Sequence, residues 1–180
     1  MYVSVIVAGL VGSAHASVAK VAIRSWLPFA DALWLAPVDL GSVPLVRSLQ
    51  STYDDPEMWY RFCRLGVHPN FSSLIKTVLS PRRDTWILFV HGNEFVIGDA
   101  TTLRRELETL NHQMDEQPRL AVAGLVLVNG HWSRQLYPIR LMDDSLWVWG
   151  PDSGDALRLE GNSKGVQLAA LNGLRLEVRP

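Results

Sequence analysis

The chain has 180 residues, which is enough for one domain with a substantial core and too few for two ordinary domains joined by a linker. Its 17 Lys and Arg residues and 18 Asp and Glu residues give a formal net charge of -1, which excludes general electrostatic attraction to nucleic acid or anionic membranes. The 48% hydrophobic fraction excludes a disordered chain, and the single cysteine, Cys63, excludes an intrachain disulfide and a cysteine-rich zinc site.

The first part of the sequence predicts a strand, a helix and a second strand. Residues 2–8 are apolar and β-branched, as in a central strand, and we expect a strand here instead of a secretory signal because no Lys or Arg precedes the run. Apolar residues then repeat with helical spacing from Val18 to Leu27, before Pro28. Pro37 interrupts the next apolar run, which indicates a strand at a sheet edge or the end of a strand.

The middle of the sequence predicts three helices and a hairpin. In STYDDPEMWYRFCRLG, a helix is expected to begin at Pro56 and to end near Gly66, and a second helix is expected over residues 72–79. The runs TWILFV and EFVIG, separated by HGN, predict two strands paired as a hairpin. A third helix is expected to begin at Asp99 and to end before Pro118, with an apolar stripe along one side.

After this helix the sequence changes to short apolar runs separated by turn residues. The separators are Asn129-Gly130, Asp143-Asp144 and Pro151-Asp152-Ser153-Gly154, and a last strand is expected over GLRLEV. We therefore predict one α+β domain spanning residues 1–180. Its expected architecture is a mainly antiparallel sheet of about six to eight strands, with a C-terminal β-meander, packed against about three to five helices from the N-terminal two-thirds.

A cysteine, a histidine and an aspartate suggest a possible hydrolase site. Cys63 precedes His131, which lies in NGHW, and the acidic candidates are Asp152, in GPDSG, and Asp155. Hydrolysis by a thiol needs a nucleophile, a base that takes its proton and a group that orients the base. This order resembles that of papain-like cysteine peptidases and amidases over about residues 129–154. The resemblance implies Cys63 as the nucleophile, His131 as the general base and one of the two aspartates as the orienting group.

Two local features bear on this hydrolase hypothesis. A turn at residues 143–144 would set the register of the strands on either side of it. In that register Asp155 lies nearer to His131 than Asp152 does, so Asp155 is the favoured orienting residue. Cys63 is expected near the C-terminal end of its helix, where the helix dipole disfavours a thiolate, and on an apolar face of that helix. These features favour a packing role for Cys63.

The function we prefer from the sequence is binding without catalysis, either to another protein or to a second copy of the chain. The chain contains 7 tryptophans, and Trp147 and Trp149 lie on a run that is apolar on both faces. Trp, Tyr and Arg are the usual anchors of protein interfaces. The predicted binding residues are Trp132, Arg134, Tyr137, Arg140, Trp147 and Trp149. The papain-like hydrolase is the alternative.

No metal and no cofactor are expected from the sequence. The 5 histidines form no pair with the spacing of metal ligands, and the glycines after the first strand lack the remaining residues of a nucleotide-binding fingerprint. Nucleic acid is not an expected partner, and neither is a membrane, since the apolar N-terminal run is shorter than the roughly 20 residues of a membrane span. A cytoplasmic location is expected, because a single cysteine suits a reducing compartment.

Overall fold

The computed structural model of the chain describes residues 1–10, 16–37, 61–62, 85–138, 148–149, 159–160 and 166–179, together with Pro44, Arg47 and Ser48. These residues contain ten strands and two helices. In chain order they are β1 (Tyr2–Leu10), α1 (Ala16–Trp26), β2 (Ala32–Pro37), β3 (Arg61–Phe62), β4 (Thr85–His91), β5 (Glu94–Gly98), α2 (Ala100–Glu116), β6 (Ala121–Val128), β7 (His131–Pro138), β8 (Val148–Trp149), β9 (Leu159–Glu160) and β10 (Val166–Val178). Neither of these two helices has both the length and the apolar composition that a membrane span requires.

Eight of the strands form one sheet in the order β3-β2-β1-β4-β7-β6-β10-β5, to which β3 contributes only two residues. The first four strands in this order run parallel to one another. β7 is antiparallel to both of its neighbours, whereas β10 is parallel to β6 and antiparallel to β5. β8 and β9 pair with each other in a separate two-stranded sheet.

This topology corrects the predicted fold class. Four of the seven pairings in the large sheet are parallel, so the sheet is mixed and not mainly antiparallel. Two helices, and not three to five, are found in the described part of the chain. The predicted C-terminal meander is wrong as well, because β10 lies beside β6 and not beside β9. The predicted fold class is wrong because β1 pairs with β4, and β6 with β10, although long stretches of sequence separate them. Local sequence patterns carry no information about such distant pairings.

The beginning of the chain agrees with its sequence pattern. β1 has β2 and β4 as parallel neighbours, and both of its faces are buried, at Val3 on one side and at Ser4 on the other. A strand buried on both faces is mostly apolar, which explains the apolar run that Ser4 alone interrupts between Val3 and Val7. α1 ends before Pro28 and β2 ends at Pro37, so the predicted β-α-β opening is confirmed.

Two short connections that look alike in the sequence have different outcomes. Asn129 and Gly130 both adopt positive φ angles, 48° and 82°, as a type I′ turn requires, and they join β6 and β7 in the predicted hairpin. Gly92 and Asn93 have no positive φ angle, and β4 and β5, which they connect, do not pair. The predicted β4–β5 hairpin is therefore wrong, and β5 pairs with β10 instead.

The sheet curls back on itself, because β4 and β5 are joined by two residues but stand at opposite ends of the run β4-β7-β6-β10-β5. α1 occupies the gap between them. Its Ser25 Oγ accepts a hydrogen bond from the Val96 N–H of β5 (3.0 Å), and its Trp26 Nε1 donates to the Glu94 carbonyl (3.1 Å). Two backbone groups on the edge of β5 that faces away from β10 are thus hydrogen-bonded to α1, which hinders pairing of this edge with another chain.

The two faces of the large sheet differ in how they are covered. Both helices pack on one face, which we call the inner face, and the opposite face is the outer face. On β1, β2 and β4 the outer face is also buried, at Ser4, Trp34 and Ile87, and the Trp34 indole N–H donates to Ser4 Oγ over 2.7 Å. On β6, β7, β10 and β5 the outer face is partly exposed. The inner core includes Val5, Ile23, Trp26, Leu88, Leu103, Leu107, Val126, Leu136, Leu174 and Leu176.

α2 follows the sequence prediction closely. Asp99 is its N-cap, and its side chain accepts hydrogen bonds from the backbone N–H groups of Thr101 and Thr102. The predicted apolar stripe is buried, from Leu103 to Met114. The helix has docked on β10 so closely that a Cβ on Gly173 would collide with the α2 backbone.

The helix predicted from Pro56 to Gly66 is wrong at the positions that can be compared. Arg61 and Phe62 form β3, which pairs in parallel with β2. Aromatic residues suit a pleated strand as readily as a helix face, and the Pro and Gly signals at the two ends also occur in turns. The other residues of this segment, including Cys63, lie outside the described residues, as does the helix predicted over 72–79.

Candidate binding surface

Four side chains form a continuous row across the exposed part of the outer face. Backbone pairing places Ile97 of β5 opposite Arg175 of β10, Arg175 beside Leu127 of β6, and Leu127 opposite Trp132 of β7. Residues directly opposite each other in neighbouring strands point to the same face of the sheet. Trp132 is 46% exposed and Ile97 is 44% exposed, while Leu127 is half-buried. We refer to these four residues as the outer row.

A β-bulge in β7 turns Trp132 to the outer face. The register of β6 and β7 shifts between Val126, which pairs with Arg134, and Leu127, which pairs with Trp132, so that Ser133 is the extra residue. Without a bulge, side chains two positions apart in a strand would share one face. Because of the extra residue, Arg134 points to the inner face and Trp132 to the outer face.

The charges near the outer row belong to three residues at the end of β10. Arg175 is exposed and forms no ion pair with any side chain in the described part of the chain. Glu177 accepts a hydrogen bond from Arg179 over 3.4 Å, and both side chains are about half exposed. The Arg179 guanidinium also lies 4.4 Å from the centre of the Phe95 ring. A cation in the middle of the row is therefore available to an acidic partner.

A buried ion pair joins β7 to β5 on the inner face of the sheet. Arg134 Nη2 lies 2.5 Å from Glu94 Oε1, and the side chains are 15% and 1% exposed. The other carboxylate oxygen of Glu94 accepts the backbone N–H of His91, at the end of β4, over 2.7 Å. β7 pairs with β4 only over Leu136–Pro138, so this ion pair connects the two strands where they separate.

The predicted binding residues whose side chains can be placed do not lie on one surface. Trp132 is exposed on the outer face, Arg134 is in the inner ion pair, and Tyr137 is 3% exposed with its hydroxyl donating to Gln135 Oε1. Trp149 belongs to β8, and Arg140 and Trp147 lie outside the described residues. Of the three side chains that can be placed, only Trp132 is free to meet a partner.

The residues of the hydrolase hypothesis are not brought together in the described part of the chain. His131 is exposed at the first position of β7, whereas Cys63, Asp152 and Asp155 lie outside the described residues. Cys63 follows β3 directly in the sequence, and three strands separate β3 from β7, which is about 19 Å across the sheet at the usual strand spacing. Among the residues that can be searched, no three His, Cys, Asp or Glu side chains are grouped as metal ligands.

Three members of the outer row, Ile97, Leu127 and Arg175, were not identifiable as surface residues from the sequence. The alternation of apolar and charged residues in GLRLEV is a signal for a strand with two different faces, whereas LVLV is apolar at every position. The alternation cannot show that Arg175 lies beside Leu127, because that parallel pairing joins strands nearly 50 residues apart in the sequence. The row therefore becomes visible only with the sheet order.

Comparison with known proteins adds no family to this picture. No protein-family model matches the chain, and none of the curated proteins is significantly similar to it. The outer row is thus defined by geometry: an indole at one end, an isoleucine at the other and a cation between them, on four hydrogen-bonded strands. Such a surface can contact and orient a partner.

Proposed function

We propose that this chain is a non-catalytic protein-binding domain and that the outer row is its contact surface. The observation that carries this proposal is the exposure of Trp132, 46%, in a row that continues through Leu127 and Arg175 to the exposed Ile97. Large apolar side chains scattered singly on a surface need no explanation, but a contiguous set beside a cation is typical of interaction sites.

Burial of the outer row would contribute a useful part of a binding free energy. Covering the exposed half of Trp132 removes roughly 100 Å² of mostly apolar surface from water, which is worth about 2.5 kcal/mol. Trp and Arg are also the residues most enriched among interface hot spots. The paired strands fix the backbone of these residues before binding, so the loss of conformational entropy when a partner docks is confined to side chains.

The chemistry of Arg175 restricts the partner. A partner that covers the whole row also covers this guanidinium, and burial of an unpaired charge is strongly unfavourable. The partner must therefore present a carboxylate opposite Arg175, surrounded by apolar groups that meet Trp132 and Ile97. This requirement excludes a uniformly basic or uniformly apolar partner surface.

Site-specific photo-crosslinking tests this proposal. A photoreactive amino acid is placed at position 132, at position 97, or at exposed Gln113 on the opposite side of the sheet, in the protein expressed in its native cells. We expect one discrete crosslinked protein from positions 132 and 97, none from position 113, and loss of the product with Arg175→Glu. The proposal is refuted if positions 132 and 97 give no product, or the same set of products as position 113.

A further inference from the structure

Two side chains of opposite charge, Arg175 and Glu177, lie on the outer face of β10, two residues apart along the strand. Arg175 lies opposite Ile97, and Glu177 lies opposite Phe95, so both side chains belong to the same face as the outer row. Leu176, between them, points to the inner face and is buried. Arg179, which follows β10, already donates to Glu177 over 3.4 Å, so the outer face carries Arg175, Glu177 and Arg179 in succession. Within this series, Arg175 and Glu177 are symmetrical about Leu176, and this pair is complementary to its own inverted copy.

We propose that the partner of the outer row is a second copy of this chain, an inference that rests on the function proposed above. The two copies pack outer face to outer face around a two-fold axis. This axis lies between the two sheets, runs perpendicular to the strands and passes over β10 at Leu176. This rotation exchanges the levels of Arg175 and Glu177. Arg175 of each copy then faces Glu177 of the other, and the interface is isologous, as in most homodimers.

The same rotation gives the other residues of the row suitable neighbours. Ile97 of one copy faces the level of Phe95 in the second copy, where the Arg179 guanidinium lies over the buried Phe95 ring. Trp132 approaches the Asn129-Gly130 turn. Gly130 has open space around the position that a Cβ would occupy, so this turn leaves room for an indole ring. The interface thus combines two reciprocal ion pairs with contacts made by Ile97 on one side of β10 and by Trp132 on the other.

A different two-fold axis, parallel to the strands, is less favourable. It would place Arg175 against Leu127 of the second copy and leave two guanidinium groups covered without a carboxylate, at a large desolvation cost. The axis through Leu176 is the arrangement that places a carboxylate, Glu177, opposite Arg175 of each copy. The charge pattern therefore selects one dimer geometry.

The size of the overlap predicts a weak, reversible dimer. Four strands about 4.8 Å apart and about five residues long cover a patch of roughly 19 by 17 Å, which is smaller than the interfaces of stable complexes. We therefore expect the monomer to predominate at low concentration and the dimer to appear at roughly 100 µM and above. Charge pairs across such an interface decide specificity more than affinity.

Sedimentation velocity with charge reversals tests the dimer. Arg175→Glu places acidic groups opposite each other in the two copies, and Glu177→Arg makes all three charges of the face basic, so we expect each variant alone to dimerise at least about tenfold more weakly than the wild type. An equimolar mixture of the two variants regains both ion pairs, and so does the double variant R175E/E177R. We expect dimerisation within about threefold of the wild type in both cases. Arg119→Glu, an exposed reversal away from the outer row, is the matched control and leaves dimerisation unchanged.

Two results would overturn the dimer. One is a wild-type chain that stays monomeric up to about 1 mM, well above the expected range. The other is a mixture of the single variants that dimerises no better than either variant alone, since the two charges would then not meet across an interface. The failure of the dimer can be distinguished from the failure of the function proposed above. A crosslink from position 132 to a different protein, together with a chain that is monomeric in sedimentation, would refute the dimer and leave the proposed binding surface intact.

Discussion

Glu94 illustrates how one buried residue can replace part of a β-ladder. β4 and β7 stop pairing beyond Leu136, and the carboxylate of Glu94 lies where they separate. One of its oxygens accepts the His91 N–H from β4, and the other accepts the Arg134 guanidinium from β7. Its backbone carbonyl also accepts the Trp26 indole N–H from α1. Three elements are therefore joined at a residue that is almost completely buried.

Removal of the cation from this ion pair should be strongly destabilising. Arg134→Met leaves the Glu94 carboxylate buried without its charged partner, and we expect the free energy of unfolding to fall by about 3 kcal/mol. The double variant E94Q/R134M should lose less than R134M alone, because no uncompensated charge is left. The measurement is urea unfolding, with exposed Arg175→Met as the control, expected to change stability by less than about 0.5 kcal/mol. Equal losses for the two Met variants would contradict this account of Glu94.

The N-cap of α2 gives a prediction on pH. Hydrogen bonds from the Thr102 hydroxyl and backbone N–H hold the pKa of Asp99 below its ordinary value of 3.8. A lowered pKa stabilises the fold fully above 3.8, and this contribution disappears as the pH falls through the pKa of the folded state. Asp99→Asn keeps an acceptor for the cap but no charge. We expect the difference in urea midpoint between wild type and D99N to be constant at neutral pH and to shrink below about pH 4.

Asp99→Ala is the control for the cap itself. It removes both the charge and the acceptor, so its urea midpoint should lie below that of D99N throughout the pH range. A difference between wild type and D99N that persists unchanged in acid would show that the charge of Asp99 has no part in stability.

At the scale of the elements, β10 and α2 are fitted together by a bulge. The register of β10 against β6 shifts between Ala170 and Arg175, and the backbone N–H groups of Asn172 and Gly173 within this bulge both donate to the Glu106 carboxylate of α2. Gly173 lies against the first turn of α2, with no room for a side chain. Between Ala170 and Arg175, β10 is therefore not paired with β6, and its backbone N–H groups at Asn172 and Gly173 bond to α2 instead.

Two glycine substitutions should separate backbone collisions from side-chain collisions. A methyl group at Gly173 would meet the backbone of Leu103, which cannot move without shifting α2, so we expect Gly173→Ala to cost about 3 kcal/mol. A methyl group at Gly124 would meet the end of the Leu171 side chain, which can rotate, so Gly124→Ala should cost about 1 kcal/mol. Urea unfolding gives both values, and equal costs would show that α2 is not held against Gly173.

The elements that the sequence predicts correctly are those with a local physical cause. The cap of α2 at Asp99, the end of α1 before Pro28 and the Asn129-Gly130 hairpin all depend on neighbouring residues. The β4–β5 connection shows the limit of this approach. Its residues resemble a hairpin turn, but they have no positive φ angles, and β5 does not fold back onto β4. Instead β5 pairs with β10, a strand about 80 residues later in the sequence.

For the whole molecule, the sheet order determines which side chains become neighbours. Trp132 is predicted as a binding residue from its residue type and is exposed, but its neighbours Arg175 and Ile97 come from strands that only the tertiary fold places beside it. Arg134 is close to Trp132 in sequence and yet points to the other face, because of the bulge at Ser133. Sequence spacing alone could not divide these residues into a surface and a core.

The sheet order also leads to a prediction for the hydrolase alternative. Cys63 follows β3, at one end of the order, whereas His131 lies in β7, beyond three further strands. A base that activates a thiol must lie within hydrogen-bonding reach of it. We therefore expect Cys63 to react with iodoacetamide near neutral pH no faster than free cysteine does, and His131→Ala to leave the rate unchanged. Measurement of the labelling rate by mass spectrometry checks this, with Cys63→Ser as the control for specificity. Fast labelling that His131→Ala abolishes would place the thiol beside the imidazole and restore the hydrolase hypothesis.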